Sequence, residues 1–194
     1  MKYSSLVAGF LFAALALPAA AQSVYTTVLR GSAEEPANES PATGTATVTV
    51  DTTNFTMRVE ETFSGLVAGN TASHIHCCTA TPLAGNVGVA TTTPTFTGFP
   101  TGTTSGVYDH TFDMTDPSSY NPSFITDHGG TASGAFDALV AGLNSGSAYA
   151  NIHSSTFQAG EIRGFLTLVP EPESYAMLLA GLGIISILAR RRRV

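Results

Sequence analysis

The stretch GTATVTVDTTNFTMRVEETF, residues 44–63, decides the fold class. Apolar residues alternate with threonines and charged residues on both sides of the short polar segment TTN. Strict alternation is typical of a strand with one buried face, and two such segments joined by a turn predict an antiparallel β-hairpin. The residues predicted to face the core are Ala46, Val48, Val50, Phe55, Met57 and Val59.

Further segments on both sides of this hairpin have the composition of strands. They are residues 24–31, 72–77, 86–91, 106–114, 147–154 and 160–169. The exception is 117–143, where a short helical turn between prolines precedes a longer helix that Gly146 ends. Residues 90–106 are predicted to form a long surface loop. Many short strands with one or two late helices predict an all-β, antiparallel, Greek-key-like β-sandwich.

The first 21 residues have the three parts of a secretory signal peptide. Lys2 supplies the positive charge, residues 6–17 are apolar, and small residues precede the predicted cleavage after Ala21. An apolar run of about a dozen residues is too short for a membrane span, which needs about 20. We therefore expect an exported protein whose folded domain covers residues 22–168.

The last 26 residues, VPEPESYAMLLAGLGIISILARRRRV, combine three features in a fixed order. They are the motif Pro170, Glu171 and Pro172, an apolar segment at 174–189, and four arginines at 190–193. The apolar segment predicts a short transmembrane helix of about 24 Å, with the arginines on the cytoplasmic side. Without further information, this tail would be interpreted as a permanent membrane anchor.

The same three features, however, resemble the PEP-CTERM sorting signal of Gram-negative bacteria. This resemblance implies that the export machinery leaves the protein transiently anchored in the inner membrane. It also implies that an exosortase then cuts near Pro170, Glu171 and Pro172. The product would reach the cell surface or the extracellular matrix, so this chain is expected to be the substrate of that enzyme.

The predicted domain is strongly acidic once both sorting signals are set aside. Residues 22–168 contain 12 acidic and three basic side chains, Arg30, Arg58 and Arg163, for a net charge of −9. Nucleic acids and anionic lipids are bound through Lys and Arg, so neither is expected as a partner of this domain.

Three segments of the domain resemble the CHRD domain, a module first described in chordin and found in secreted microbial proteins. They are SHIH (73–76), AYANIHS (148–154) and GEIRGFL (160–166), and NIHSSTFQAGEIRG carries the strongest resemblance. The resemblance implies an extracellular structural or binding module, with matrix components such as polysaccharide as candidate partners. Cys77 and Cys78 replace the small residues that usually follow the family's H-x-H.

Three histidines form a candidate metal site. His74 and His76 share one face of a predicted strand, and His153 lies in another strand of the family motif. Three neutral imidazoles with one water suit zinc or copper. The alternative is a polar network in which His74 and His76 donate to backbone carbonyls and Glu161 pairs with Arg163 or a histidine.

Cys77 and Cys78 are the two cysteines of the chain. Export to an oxidising compartment favours a disulfide, although adjacent cysteines lie closer together than most bridged pairs. A vicinal disulfide, thiolate ligation of a metal and an intermolecular bridge all remain open.

Three functions are therefore considered for the domain. The first is a structural or binding module, the second a copper or zinc protein, and the third a redox enzyme. The sequence contains no nucleophile elbow, P-loop or dinucleotide motif, and we expect no enzymatic activity.

Overall fold

The computed structural model describes residues 22–170, 179–183, 185 and 190. Two helices, α1 (Pro122–Asp127) and α2 (Ala132–Ser145), precede the last three strands of the described residues. The strands are β1 (Gln22–Arg30), β2 (Thr43–Asp51), β3 (Thr56–Ser64), β4 (Asn70–His76), β5 (Gly106–Asp113), β6 (Tyr149–Ser154), β7 (Ile162–Phe165) and β8 (Thr167–Leu168). The predicted all-β class with late helices is confirmed.

The strands form one antiparallel sheet in the order β4-β6-β7-β1-β2-β3-β5, with β8 also paired to β1. This sheet curls strongly, because β4 and β3 meet although four strands separate them in the sheet. The contact is direct, since the Ser73 hydroxyl of β4 donates to Glu61 of β3 at 2.7 Å. The two ends of the sheet therefore enclose one apolar core between them, as the layers of a sandwich do.

The hairpin of β2 and β3 follows the predicted alternation. Val48 pairs with Val59, and both side chains are buried together with Met57. The prediction for Phe55 is wrong. This residue lies in the turn with a φ of 52° and is 42% exposed. A left-handed turn residue lies outside the pleat of the strand, so the alternation does not reach it.

Helix α2 ends and packs as its sequence predicts. The Thr131 hydroxyl accepts from the N–H of Gly134 at the start, and Gly146 ends the helix in the left-handed region with a φ of 70°. The predicted spacing is confirmed, because Ala135, Leu139 and Leu143 are all buried.

The segment between β4 and β5 differs from the prediction. Residues 86–91 form no strand in the structure and make only isolated bridges, including those from Val89 to His76 and from Thr91 to Tyr120. The predicted surface loop is also partly buried, since Phe96 and Phe99 belong to the core. Phe96 packs against the rings of two β5 residues and closes one end of the core. Composition alone did not indicate this closing role.

The two sorting signals fall mostly outside the described residues. The predicted signal peptide, 1–21, and Glu171 and Pro172 lie outside them, whereas residues 179–183 of the predicted transmembrane segment are helical. Among the described helices, none combines the length and the apolar character that crossing a membrane requires. The last sheet contact is the bond from the N–H of Val169 to the carbonyl of Val24.

Candidate metal centre

The three candidate histidines lie on two neighbouring strands. His74 and His76 belong to β4, and His153 belongs to β6, which pairs with β4 in the sheet. The isoleucines beside them, Ile75 and Ile152, are fully buried in the core. Because side chains alternate along a strand, the histidines project from the opposite face of the sheet.

The structure brings these three side chains together. One ligand nitrogen from each ring lies within 4.8 Å of the other two. The ring centroids of His74 and His153 are 5.2 Å apart, and that of His76 lies 5.8 Å from His153. Nitrogens that bind one tetrahedral zinc ion at about 2.0–2.1 Å are about 3.3 Å apart, so a small shift of the rings suffices.

Each imidazole uses one nitrogen for a hydrogen bond to a backbone carbonyl. The pairs are His74 Nε2 with Pro94 at 2.6 Å, His76 Nδ1 with Val87 at 2.8 Å, and His153 Nδ1 with Gln158 at 2.9 Å. A carbonyl oxygen only accepts, so the bonded nitrogen carries the proton and the other nitrogen carries a lone pair. Metal-binding histidines are oriented by bonds of this kind.

The three remaining nitrogens are buried and have no hydrogen-bond partner among the described residues. They are His74 Nδ1, His76 Nε2 and His153 Nε2. Buried polar atoms are nearly always paired, so a group of three without partners requires an explanation. A cation bound between them would satisfy all three lone pairs.

Burial also keeps the rings in the form that binds metal. The pKa values of His74 and His76 are lowered to about 4, mainly by loss of hydration and to a smaller extent by the charge of His153. Burial lowers the pKa of His153 as well. The three imidazoles are therefore neutral at pH 7, as ligands must be.

An aromatic residue and an arginine support the ring of His76. Tyr149 stacks on this ring with centroids 4.7 Å apart, and the Tyr149 hydroxyl donates to the carbonyl of Val87 at 3.2 Å. The Arg163 guanidinium lies 4.8 Å from the centroid of Tyr149. The sequence did not indicate the stacking of Tyr149 and Arg163, because it depends on how three strands align.

The partners of Arg163 and Glu161 differ from the predicted pairing. Arg163 is 3% exposed and forms ion pairs with Glu34 at 3.9 Å and Glu35 at 3.4 Å. The Glu161 carboxylate instead accepts from the Ser40 hydroxyl at 2.6 Å and from a backbone N–H at 2.7 Å. The suggestion that Glu161 pairs with Arg163 or a histidine is therefore wrong. Glu161 instead joins the loop before β2 to the loop after β3 through hydrogen bonds.

Glu34 is a further residue of this face that the sequence did not indicate. Burial raises its pKa to about 7, against the opposing effects of the Arg163 charge and the Asn151 amide. It lies in the irregular segment after β1, where no periodic pattern marks a residue as buried.

The cysteines do not join the histidine cluster. Cys77 and Cys78 are bonded to each other in the structure, with Cα atoms 3.0 Å apart across a cis peptide bond. They follow the end of β4, so the regular alternation of that strand does not apply to them. His110, on β5, and His128, after α1, are not in the group of three either.

A comparison with models of protein families identifies the domain that contains this site. The model of the CHRD domain matches residues 25–166, which is most of the chain and contains all three histidines. The chain belongs to the CHRD domain family. The predicted membership is thereby confirmed, and the neighbouring motifs of the family now have positions on β4, β6 and β7. Neither the curated proteins nor the solved structures that were compared with this chain gave a match.

The tail of this CHRD protein is identified in the same way. The model of the PEP-CTERM protein-sorting motif matches residues 168–193, which confirms the resemblance of the last residues. The protein is accordingly an exported bacterial protein, targeted to exosortase and to the cell surface or the extracellular space.

Proposed function

We propose that this CHRD protein is a metal-binding module of the bacterial surface or matrix, with copper or zinc held by His74, His76 and His153. The observation that carries the proposal is a cluster of three imidazoles with ligand nitrogens within 4.8 Å of one another, in which each ring keeps one buried nitrogen lone pair without a partner among the described residues. Each lone pair belongs to a neutral imidazole whose other nitrogen is already fixed by a carbonyl.

The donor set favours particular metals. Imidazole nitrogen suits zinc and copper, whereas calcium and magnesium are bound through oxygen ligands. Three protein ligands leave one position of a tetrahedral ion for water. We therefore expect one transition-metal ion per chain, bound most tightly when it is copper(II).

A metal-dependent enzyme is the second candidate, because a three-histidine site with an open position also occurs in catalytic centres. A storage or sensing role is favoured by the burial of the ligands. His74 and His76 are only 6% and 7% exposed, which leaves little room for a substrate beside the ion. We propose that the module binds metal and matrix components without catalysing a reaction.

The test is metal analysis and titration of residues 22–170, which contain the complete sheet and core. We expect one zinc or copper ion per chain in the wild type. His76→Asn keeps a side-chain donor near the Val87 carbonyl but lacks the free ligand nitrogen, and we expect it to lose the site. His128→Asn, outside the cluster, is the matched control and should bind as the wild type does. A folded wild-type protein without stoichiometric metal would refute the proposal.

We further propose that residues 174–189 hold the precursor in the inner membrane of a Gram-negative cell before exosortase acts. The apolar segment followed by four arginines supports this order of events. Fractionation of cells without exosortase should recover the precursor, with its tail, in the inner membrane. Recovery of that precursor in the periplasm would contradict the anchoring step.

A further inference from the structure

A cleft of about 200 Å³ opens beside the disulfide. Cys77 and Cys78 form one wall, and residues 87–89 and the end of α1 form the others. Cys77 is 3% exposed, whereas Cys78 is more exposed and lines the same cleft. Cys78 is therefore the more exposed cysteine of the pair at this cleft.

The segment 87–89 also holds the metal ligand His76. The carbonyl of Val87 accepts from His76 Nδ1 at 2.8 Å, and Val89 forms a bridge with His76. In the same segment, the carbonyl of Gly88 accepts from the N–H of Cys77 at 3.3 Å. One short segment thus lines the disulfide cleft and orients His76.

The two sulfurs pack directly against helix α2 at Gly142. A Cβ atom added to Gly142 would lie 2.2 Å from the sulfur of Cys77 and 2.5 Å from that of Cys78. Bonded sulfurs are about 2.05 Å apart, whereas non-bonded heavy atoms need about 3.5 Å or more. Reduction must therefore move the sulfurs apart, while α2 blocks one side and residues 87–89 line the cleft beside the cysteines.

We propose that the Cys77–Cys78 bond is a thiol-reactive site that controls metal binding at His76. A low-molecular-weight thiolate attacks the sulfur of Cys78, the bond between the two sulfurs breaks, and Cys77 leaves as a thiolate. A second thiolate attacks the added sulfur, releases Cys78 and forms the external disulfide. Two electrons pass to the protein, and both cysteines take protons from water.

The expected consequence is weaker metal binding in the reduced protein. Loss of an outer hydrogen bond that orients a ligand typically lowers metal affinity about 10–100-fold. We expect a decrease of this size, because the moving sulfurs displace the carbonyl that orients His76. This inference rests on the proposed metal site, whereas the movement of residues 87–89 can be measured without metal.

The experiment compares three forms of residues 22–170. They are the oxidised wild type, the wild type reduced with glutathione and freed of thiol by anaerobic gel filtration, and the variant Cys77→Ser/Cys78→Ser. Zinc affinity is measured by competition with a chromophoric chelator, since zinc itself is not reduced. We expect the second and third forms to bind zinc about 10–100-fold more weakly than the first. Reoxidation should restore the wild type and leave the variant unchanged.

A second readout separates this inference from the metal proposal. In the metal-free wild type, reduction should shift the NMR signals of the His76 ring and leave those of His110, on the distant strand β5, in place. Absence of zinc binding in the oxidised protein would refute the metal site and with it the control of metal binding, and the His76 signals would then test only the movement of residues 87–89. Zinc binding by the reduced protein that is as tight as in the oxidised form would overturn it. The inference would also be overturned if glutathione did not reduce the disulfide in the folded protein.

Discussion

The substitution His76→Asn in the metal-free protein tests the burial of the cluster quantitatively. The pKa of His76 is about 4 in the folded chain, against a usual value of 6.5. A base with a lowered pKa binds its proton more readily in the unfolded chain, so the folded state loses stability as the pH falls below 6.5. Asparagine does not titrate and lacks this loss.

These two pKa values determine the size of the effect. Between pH 7 and pH 5, linkage predicts that His76 lowers the free energy of unfolding by about 2 kcal/mol. Burial also raises the pKa values of Glu34 and Glu61. These carboxyl groups therefore bind protons more readily in the folded chain and stabilise it as the pH falls over the same interval. Both carboxyl groups are present in the variant as well, so their effects cancel in the difference between the two proteins.

The assay is urea denaturation of wild type and His76→Asn at pH 7 and pH 5, with metal removed by a chelator. The stability difference between them should become smaller by about 2 kcal/mol at the lower pH. Thr111→Ser, an exposed and non-titrating change on β5, is the control, and its difference should stay constant. If the stability difference between wild type and His76→Asn is also the same at both pH values, the ring is hydrated in the folded protein and the argument for a buried cluster is wrong.

Three further predictions concern other buried or processed groups. Glu61 is 1% exposed, and burial raises its pKa to about 8, so its ionisation between pH 7 and pH 9 should lower the stability of the wild type by about 1 kcal/mol. Glu61→Gln should not show this loss, which urea denaturation at both pH values would measure. Arg163→Met should destabilise the fold, by less than the roughly 3–5 kcal/mol typical of a broken buried ion pair, because Glu34 has a pKa of about 7 and can take up a proton. Arg58→Met should change stability little, since the ion pair of Arg58 with Asp109 is exposed. A small thermal shift for Arg163→Met would contradict this assignment. Replacement of Pro170, Glu171 and Pro172 by alanine should leave the tail attached, and a mature mass equal to that of the wild type would disprove the role of the motif.

The sequence predicted the sheet well where a strand has one dry face. The hairpin of β2 and β3 and the buried side of α2 follow directly from periods of two and about 3.6 residues. The errors at Phe55 and at 86–91 share one cause. Both lie outside regular strands, where the alternation of side chains no longer predicts which residues are buried.

The candidate site was predicted in its ligand residues and in the hydrogen bonds of His74 and His76 to backbone carbonyls, which the structure confirms. The H-x-H spacing and the family motif indicated His74, His76 and His153, and strand pairing brings them together. The sequence did not indicate which residues supply these carbonyls, because any residue can supply one. The ion pair of Glu34 with Arg163 was also missed, since it joins a loop to a strand 129 positions later in the chain.

The GEIRG motif shows why a family pattern need not consist of ligands. A Cβ on Gly164 would lie 2.3 Å from the Thr27 hydroxyl oxygen, so only glycine lets β7 approach β1 here. Glu161 fastens two loops, and Arg163 supports the stacked Tyr149. Residues of this motif therefore build the frame of the site, while the histidines provide its chemistry.

The structural and the metal-binding interpretations of the histidines apply to different nitrogens of the same rings. Hydrogen bonding to carbonyls accounts for one nitrogen of each ring and leaves three buried acceptors, each costing about 1–3 kcal/mol when unpaired. The summed cost of three unpaired acceptors is large compared with the free energy of unfolding of a typical domain, which is about 5–15 kcal/mol. Protonation does not remove this cost at pH 7, because burial lowers all three pKa values. A water molecule has two hydrogens to donate and serves two acceptors at most. A single metal ion accepts all three lone pairs at once, whereas water would need at least two molecules between the rings.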